Sequence, residues 1–96
     1  MRPKRTRKDS NHAEIVSGCR ELGIIVWDTA DSGGKVLDTV MFWHGVAIPI
    51  EIKSPGKEDD LTKGERKGIA ELQNVNVPPV VVTSVEDVVR AFELRR

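Results

Sequence analysis

Two acidic residues and one lysine stand at positions from which their side chains can meet. Glu51 and Lys53 are two residues apart in an alternating apolar segment, Ile50-Glu51-Ile52-Lys53. Such alternation is typical of a β-strand, in which residues two apart point to the same face. Asp38 begins the preceding apolar segment, and a hairpin between the two segments would bring it opposite Glu51. We therefore expect two carboxylates and one ammonium group on one face of a sheet.

This set of side chains suits a hard metal cation. Two carboxylates and the backbone carbonyl of Ile52 form an all-oxygen ligand set of the kind that Mg²⁺ and Mn²⁺ prefer. Lys53 would orient or deprotonate a water near the metal, or neutralise negative charge that develops on a phosphate. The same Glu-x-Lys spacing also occurs on solvated strands as a surface ion pair, so both interpretations stay open at this point.

Helices and strands that would position these residues follow from local patterns. Three helix-start patterns, in which a capping residue precedes an acid by three positions, begin at Asn11, Thr62 and Ser84. His44-Gly45 is the length of a tight hairpin turn. Pro49 is an objection to a central strand, because proline donates no ladder hydrogen bond. The predicted helices cover residues 11–22, 62–74 and a last segment opened by Ser84, and the predicted strands cover 24–27, 38–43, 46–53 and 80–83.

The resulting order is α-β-β-β-α-β-α, without an internal repeat. Helices interleaved with strands predict an α/β fold with a central mixed β-sheet flanked by helices. The length of 96 residues allows one small domain. The single cysteine, Cys19, excludes an internal disulfide and a multi-cysteine metal site, and it fits a reducing compartment. We find no segment that would span a bilayer and no signal peptide, so we expect a cytoplasmic protein.

Charge is distributed unevenly along the chain. The formal net charge is zero, yet residues 2–8 carry five of the fifteen Lys and Arg residues and no acid. An arm of this kind binds phosphate backbones without sequence preference, or it is merely a solubilising terminus. The basic residues of the arm are Arg2, Lys4, Arg5, Arg7 and Lys8.

Asp38 with Ile50-Glu51-Ile52-Lys53 resembles the signature of the PD-(D/E)xK nuclease superfamily. More narrowly, the chain resembles the small stand-alone VRR-NUC domains of phages and bacteria over residues 9–92. Order and spacing match as well as residue type. The further matching segments are Asn11-x-x-Glu14-Ile15-Val16, Trp27-Asp28, Gly33-Gly34, Leu61-Thr62-x-x-Glu65 and Val80-Val81-Val82-x-Ser84-Val85-Glu86-Asp87.

The resemblance implies a restriction-endonuclease-like core in residues 11–96, preceded by a flexible basic arm in residues 1–10. It implies that Asp38 and Glu51 are the principal metal ligands and that Lys53 is the catalytic lysine. Glu14, on the first helix, would assist the metal directly or through water. Glu65 would face the site from the second helix. Glu14 and Glu65 also have a structural interpretation, as the acids that close capping boxes.

The resemblance further implies a DNA endonuclease that depends on Mg²⁺ or Mn²⁺. It implies a homodimer that cuts four-way (Holliday) junctions. The candidate interface elements are the last helix, with Phe92 and Leu94, and the strand Val80–Val82, and the sequence does not choose between them. The DNA contacts would come from the arm and from the turn Ser32-Gly33-Gly34. The alternatives are a less selective nuclease of flap or restriction type and, in another class, a catalytically silent DNA-binding module. The chain departs from the family pattern at Leu37, where many relatives have proline.

Overall fold

Seven elements follow one another in the predicted order. The computed structural model of the chain describes residues 9–29 and 37–95, and each predicted boundary lies within one residue of the observed one. Among the described residues, no helix is long and apolar enough to cross a membrane. The helices are α1 (His12–Glu21), α2 (Lys63–Asn74) and α3 (Val85–Arg95), and the strands are β1 (Ile25–Asp28), β2 (Thr39–Trp43), β3 (Val46–Ile52) and β4 (Val80–Val82).

Two antiparallel connections and one crossover determine the sheet, whose strand order is β1-β2-β3-β4. The first three strands are antiparallel, and β4 is parallel to β3, because α2 carries the chain back to the starting end of β3. The turn at His44-Gly45 forms as predicted, with φ of 50° and 78°, the positive values that a two-residue hairpin requires. The chain is thus a small α/β domain with a four-stranded mixed sheet and three helices.

Pro49 is accommodated in β3 although that strand has neighbours on both sides. It is opposite Val40 of β2, whereas β4 pairs with β3 only over Ile50–Ile52. The proline therefore precedes the part of the strand that is bonded on both edges, where a missing N–H would be costly.

The hydrophobic core lies between one face of the sheet and the helices α1 and α3. Met41 and Ile48, neighbours on the central strands, are fully buried there. Cys19 is also buried, as a small core residue. The remaining members of the core are Ile15, Val16, Ile24, Val26, Ile50, Ile52, Val82, Val88, Ala91 and Phe92.

The second helix is on the other face of the sheet and packs less closely. Gly68 is its one buried residue. Gly68 and Leu72 line a groove of about 270 Å³ together with Val40 and Pro49, which point away from the core. The start of α2 is nevertheless well defined, because Thr62 and Glu65 form the predicted capping box.

Some residues that we predicted to bind DNA lie outside the described part of the chain. These are the five basic residues of the arm, Arg2, Lys4, Arg5, Arg7 and Lys8, and the turn Ser32-Gly33-Gly34. Asp9, which we placed in the arm, does belong to the described structure, and its carboxylate accepts two hydrogen bonds from Ser54. Asp9, the first described residue, is therefore in contact with the domain.

The close approach of α1 to α3 depends on Gly18. A Cβ atom at this position would lie 2.8 Å from Cγ2 of Val85, and the branched valine has little freedom to move aside. Gly18→Ala gains about 1 kcal/mol of helix propensity but incurs an overpacking cost of about 1–3 kcal/mol. We expect a net loss of about 1 kcal/mol in the free energy of unfolding, measured by urea denaturation.

Val85→Ala provides the control for this prediction. In the double variant the added methyl group has room, so its loss should be smaller than the sum of the two single losses by about 1 kcal/mol. Strict additivity would show that the helices separate freely and that Gly18 is not a packing constraint.

Candidate metal centre

The predicted acidic residues meet at one end of the sheet. Asp38 directly precedes β2, and Glu51 lies near the end of β3, whose pairing with β2 brings the two residues opposite each other. Lys53 directly follows β3. Glu65 is in the first turn of α2, on the helix that covers this end of the second sheet face. Four of the five predicted catalytic residues are therefore brought together.

The carboxyl groups of Asp38 and Glu51 each accept a hydrogen bond from the main chain of the opposite segment. Oδ2 of Asp38 accepts a hydrogen bond of 3.0 Å from the N–H of Ile52. Oε1 of Glu51 accepts one of 3.3 Å from the N–H of Asp38. Each acidic side chain thus fixes the main chain of the opposite strand, and the two carboxyl groups converge where β2 begins and β3 ends.

The backbone of Ile52 presents its carbonyl to the same place. In an extended strand the N–H and C=O of one residue point to the same side. Because the N–H of Ile52 points to Asp38, its carbonyl oxygen is directed to that side as well. The oxygens that we predicted as ligands, two carboxylates and one carbonyl, are adjacent.

Lys53 is buried and held from two directions. Its Nζ donates to Oε1 of Glu65 at 3.0 Å and lies 3.8 Å from Oε2 of Glu51. The same Oε1 of Glu65 accepts the N–H of Thr62 at 2.8 Å. Glu65 therefore closes the capping box of α2 and positions the ammonium group of Lys53 at once. The structural and the functional interpretation of Glu65 are compatible.

The cluster contains more negative charge than its surroundings compensate. Burial raises the pKa of Glu51 to about 9, and the hydrogen bond to Glu65 and the charges of Asp38 and Glu65 act in the same direction. Burial also raises the pKa of Asp38, although the N–H of Ile52 and the charge of His12 offset part of the effect. Without a further cation, Glu51 therefore keeps its proton at neutral pH.

Glu65 and Lys53 form the charged pair of the cluster. Burial by itself would raise the pKa of Glu65, but hydrogen bonds from Glu51, Thr62 and Lys53 outweigh it and the pKa is lowered. Burial would lower the pKa of Lys53, but the bond to Glu65 and the charges of Glu65, Glu51 and Asp9 outweigh it, so that the pKa is raised. Lys53 is thus a firmly protonated cation.

These residues fit a divalent cation of the Mg²⁺ type. Three carboxyl groups face a single ammonium group, and a positive ion beside Asp38 and Glu51 would favour the ionised form of Glu51. In the described part of the chain, no three His, Cys, Asp or Glu side chains are grouped closely enough to form a cage. Two carboxylates and a main-chain oxygen are a set that Mg²⁺, which retains several waters, accepts.

Glu14 is not part of this cluster in the structure. Its side chain is exposed on α1, and no hydrogen bond or ion pair joins it to another described residue. His12 faces the site instead, since two residues correspond to about 200° of rotation around a helix. The resemblance implied that Glu14 assists the metal from the first helix, because an acid stands at the matching position of that helix. The pattern did not specify which face of the helix is turned toward the site.

His12 and Asp28 form a pair beside the centre that the sequence pattern did not reveal. The His12 side chain is only 3% exposed, and its Nε2 lies 3.1 Å from both carboxylate oxygens of Asp28. Nδ1 of the same ring is buried without a hydrogen-bond partner among the described residues. His12 is close enough to Asp38 for its charge to act on the pKa of that carboxyl group. The one feature of the sequence that could have indicated this pair is Asp28, an acid at the end of a strand.

The segment before α1 ties the ends of two strands together. Nδ2 of Asn11 donates to the carbonyl oxygens of Lys53 and Thr83, each at 3.1 Å. Its side chain therefore does not cap α1, and the capping interpretation of Asn11 and Glu14 was wrong. Asn11 thus fixes the main chain at Lys53. Asp9 fixes it at the next residue, through its bonds to Ser54.

Comparisons with family models, curated proteins and solved structures give no significant match to this chain. The interpretation of the site therefore depends on the geometry of its own residues.

The raised pKa of Glu51 makes a prediction for the metal-free protein. A group whose pKa rises on folding, here from 4.5 to about 9, stabilises the fold at low pH and loses that contribution as pH rises toward 9. Glu51→Gln mimics the protonated acid and has no such loss. In EDTA we expect equal stability near pH 4 and an advantage for the variant on the order of 5 kcal/mol at pH 8, since each pH unit between the two pKa values changes the difference by about 1.4 kcal/mol.

Thermal denaturation at a series of pH values measures this difference. Glu58→Gln is the matched control, since Glu58 is an exposed acid in the loop after β3, and its curve should follow that of the unmodified chain. Parallel curves for Glu51→Gln and the unmodified chain would mean that Glu51 is ionised in the folded protein.

Proposed function

We propose that this chain is a DNA endonuclease of the PD-(D/E)xK type that depends on Mg²⁺ or Mn²⁺. The observation that supports it best is the pair of hydrogen bonds that bring two carboxyl groups together, from the N–H of Ile52 to Asp38 and from the N–H of Asp38 to Glu51, with Lys53 beside them. A DNA-binding module without activity would have no use for buried acids facing a polyanion. The proposal includes an intracellular place of action, in a bacterium or a phage-infected host.

Each residue of the cluster has one proposed task. Asp38, Glu51 and the carbonyl oxygen of Ile52 would hold the cation. When bound, such a cation activates water and offsets charge on the phosphate. Oε1 of Glu65 accepts hydrogen bonds from both Lys53 and the N–H of Thr62, and it would thereby hold Lys53 in a fixed position relative to the start of α2. The arm, if it contacts DNA, adds affinity that does not depend on sequence.

The raised pKa of Lys53 favours one of the roles that its position allows. A general base must give up its proton near neutral pH, but burial of Lys53 is outweighed by Glu65, Glu51 and Asp9, which hold the proton on Nζ. We therefore assign Lys53 the task of donating a hydrogen bond and positive charge to the phosphate as negative charge develops.

The test combines cleavage with metal binding. Asp38→Asn, Glu51→Gln and Lys53→Ala should each abolish cleavage of duplex, flap and four-way-junction DNA. The two carboxylate variants should also bind Mn²⁺ at least tenfold more weakly by calorimetry, because each loses one charged ligand, whereas Lys53→Ala should bind Mn²⁺ nearly as well as the unmodified chain.

Glu58→Gln is the control for both measurements, and it should leave cleavage and metal binding unchanged. Cleavage that persists in Glu51→Gln, or that withstands excess EDTA, would overturn the metal-dependent mechanism. DNA binding without cleavage by the unmodified chain in either metal would favour the silent binding module. Equal rates on duplex and branched DNA would favour the less selective nuclease.

We further propose that the active form is a homodimer that cuts four-way junctions. One chain provides one centre, and a two-fold dimer would place two centres for two opposed cuts. Two residues of the last helix, which we expected at the interface, differ in how exposed they are. Phe92 is buried in the core and is therefore not an interface residue, whereas Leu94 is 81% exposed beside the open edge of β4.

Light scattering tests this assembly. The unmodified chain should have about twice the mass of one chain, and Leu94→Asp should be monomeric and cut the two strands independently. Val75→Asp, a change at another exposed apolar site, directly after α2, should remain dimeric. A monomeric unmodified chain that cuts junctions and linear duplex equally would refute the junction proposal.

A further inference from the structure

Trp27 presents an exposed indole ring on the sheet face that points away from the core. Its side chain is 62% exposed on the edge strand β1. The other tryptophan, Trp43, packs against core Phe92 at 5.8 Å. Phe42 supports the Trp27 ring edge-on, with a centroid distance of 4.8 Å and an interplanar angle of 63°. The ring is thus held in place while most of it remains open.

Trp27 shares a sheet face with the candidate centre. It is opposite Val40 of β2, and Asp38 lies two residues from Val40 along the same segment. Two residues along a strand span about 6.8 Å and adjacent strands are about 4.8 Å apart, so the Cα atoms of Trp27 and Asp38 are roughly 8 Å apart. A nucleotide near a phosphate at the centre would reach the indole.

A cation accompanies the exposed ring. Nη2 of Arg20 donates to the carbonyl oxygen of Val26, the residue before Trp27, at 2.9 Å. The guanidinium group is therefore held at the outer edge of β1, although α1 packs on the sheet face opposite to that of Trp27. It lines a groove of about 470 Å³ together with His12, Ser17 and the two acids Glu21 and Asp28, so that the outer strand edge is where a strand stacked on Trp27 would meet it. An aromatic ring for a base and a fixed arginine for a phosphate are the two parts of a single-strand binding site.

We propose that Trp27 stacks on an unpaired nucleobase of the DNA substrate, while Arg20 contacts a phosphate of the same strand. The inference rests on the proposed function for its choice of ligand, and it adds the form of that ligand: a base that is not paired, as at a junction, a flap or a melted end. Stacking tolerates every base, so the site recognises strand structure and not sequence.

Fluorescence in EDTA tests stacking without metal and without cleavage. In Trp43→Phe the indole of Trp27 is the only reporter, and a short oligothymidylate should quench it. In Trp27→Leu the remaining Trp43 should respond little, and the oligonucleotide should bind about 5- to 150-fold more weakly by anisotropy. Arg20→Gln should lower the slope of log K against log salt by about 0.7, whereas Arg90→Gln on α3 should not.

The variant Ile25→Ala distinguishes a bound nucleobase from a protein partner at this surface. Ile25 is on the same strand and is 60% exposed, so a protein interface would need both residues, whereas a stacked base needs only the ring. Unchanged oligonucleotide affinity in Trp27→Leu would overturn the proposal. So would conversion of a dimer to monomers by both Trp27→Leu and Ile25→Ala. Quenching in a chain that cleaves nothing would support this site while refuting the nuclease.

Discussion

The hydrogen bonds between Asp38 and the end of β3 are the constraint on which the candidate centre depends. They require β2 and β3 to be in one register, since a shift by one residue would turn Glu51 toward the core and Ile52 toward the site. Thr39 supports that register, with its buried hydroxyl bonded to the carbonyl oxygen of Ile50 at 3.0 Å. The hairpin at His44-Gly45 fixes the same register from the other end.

Electrostatic cost is concentrated where the chemistry is proposed. Elsewhere the domain buries apolar side chains, whereas at this end it buries Glu51 and Lys53 together. Lys53 has Glu65 as its charged partner, and removal of Glu65 would leave the buried ammonium group uncompensated. The arrangement is therefore unfavourable for stability alone, and such arrangements are frequent at functional sites. The hydrogen bonds of Glu65 and Asp38 keep the cluster ordered despite that cost.

Local patterns were sufficient for the elements and for the main cluster, and insufficient for the contacts between distant segments. Alternation in β3 and the capping box at Thr62 were predicted because each depends on residues close in sequence. The exposure of Trp27 and the burial of His12 depend on which strand lies at the edge and which helix face meets it. Asn11 is of a residue type that often caps helices, but its side chain donates to the carbonyl oxygens of Lys53 and Thr83 instead. These carbonyl groups follow two strand ends and are distant in sequence, so the local pattern did not indicate the contact.

The Asn11 side chain also has a consequence for biosynthesis. Its two hydrogen bonds join positions 42 and 72 residues apart along the chain, and contacts of such separation form late in folding. The main chain around Lys53 receives its last support only after β4 has been synthesised and has docked. A nascent chain therefore carries an incomplete centre until β4 has emerged from the ribosome.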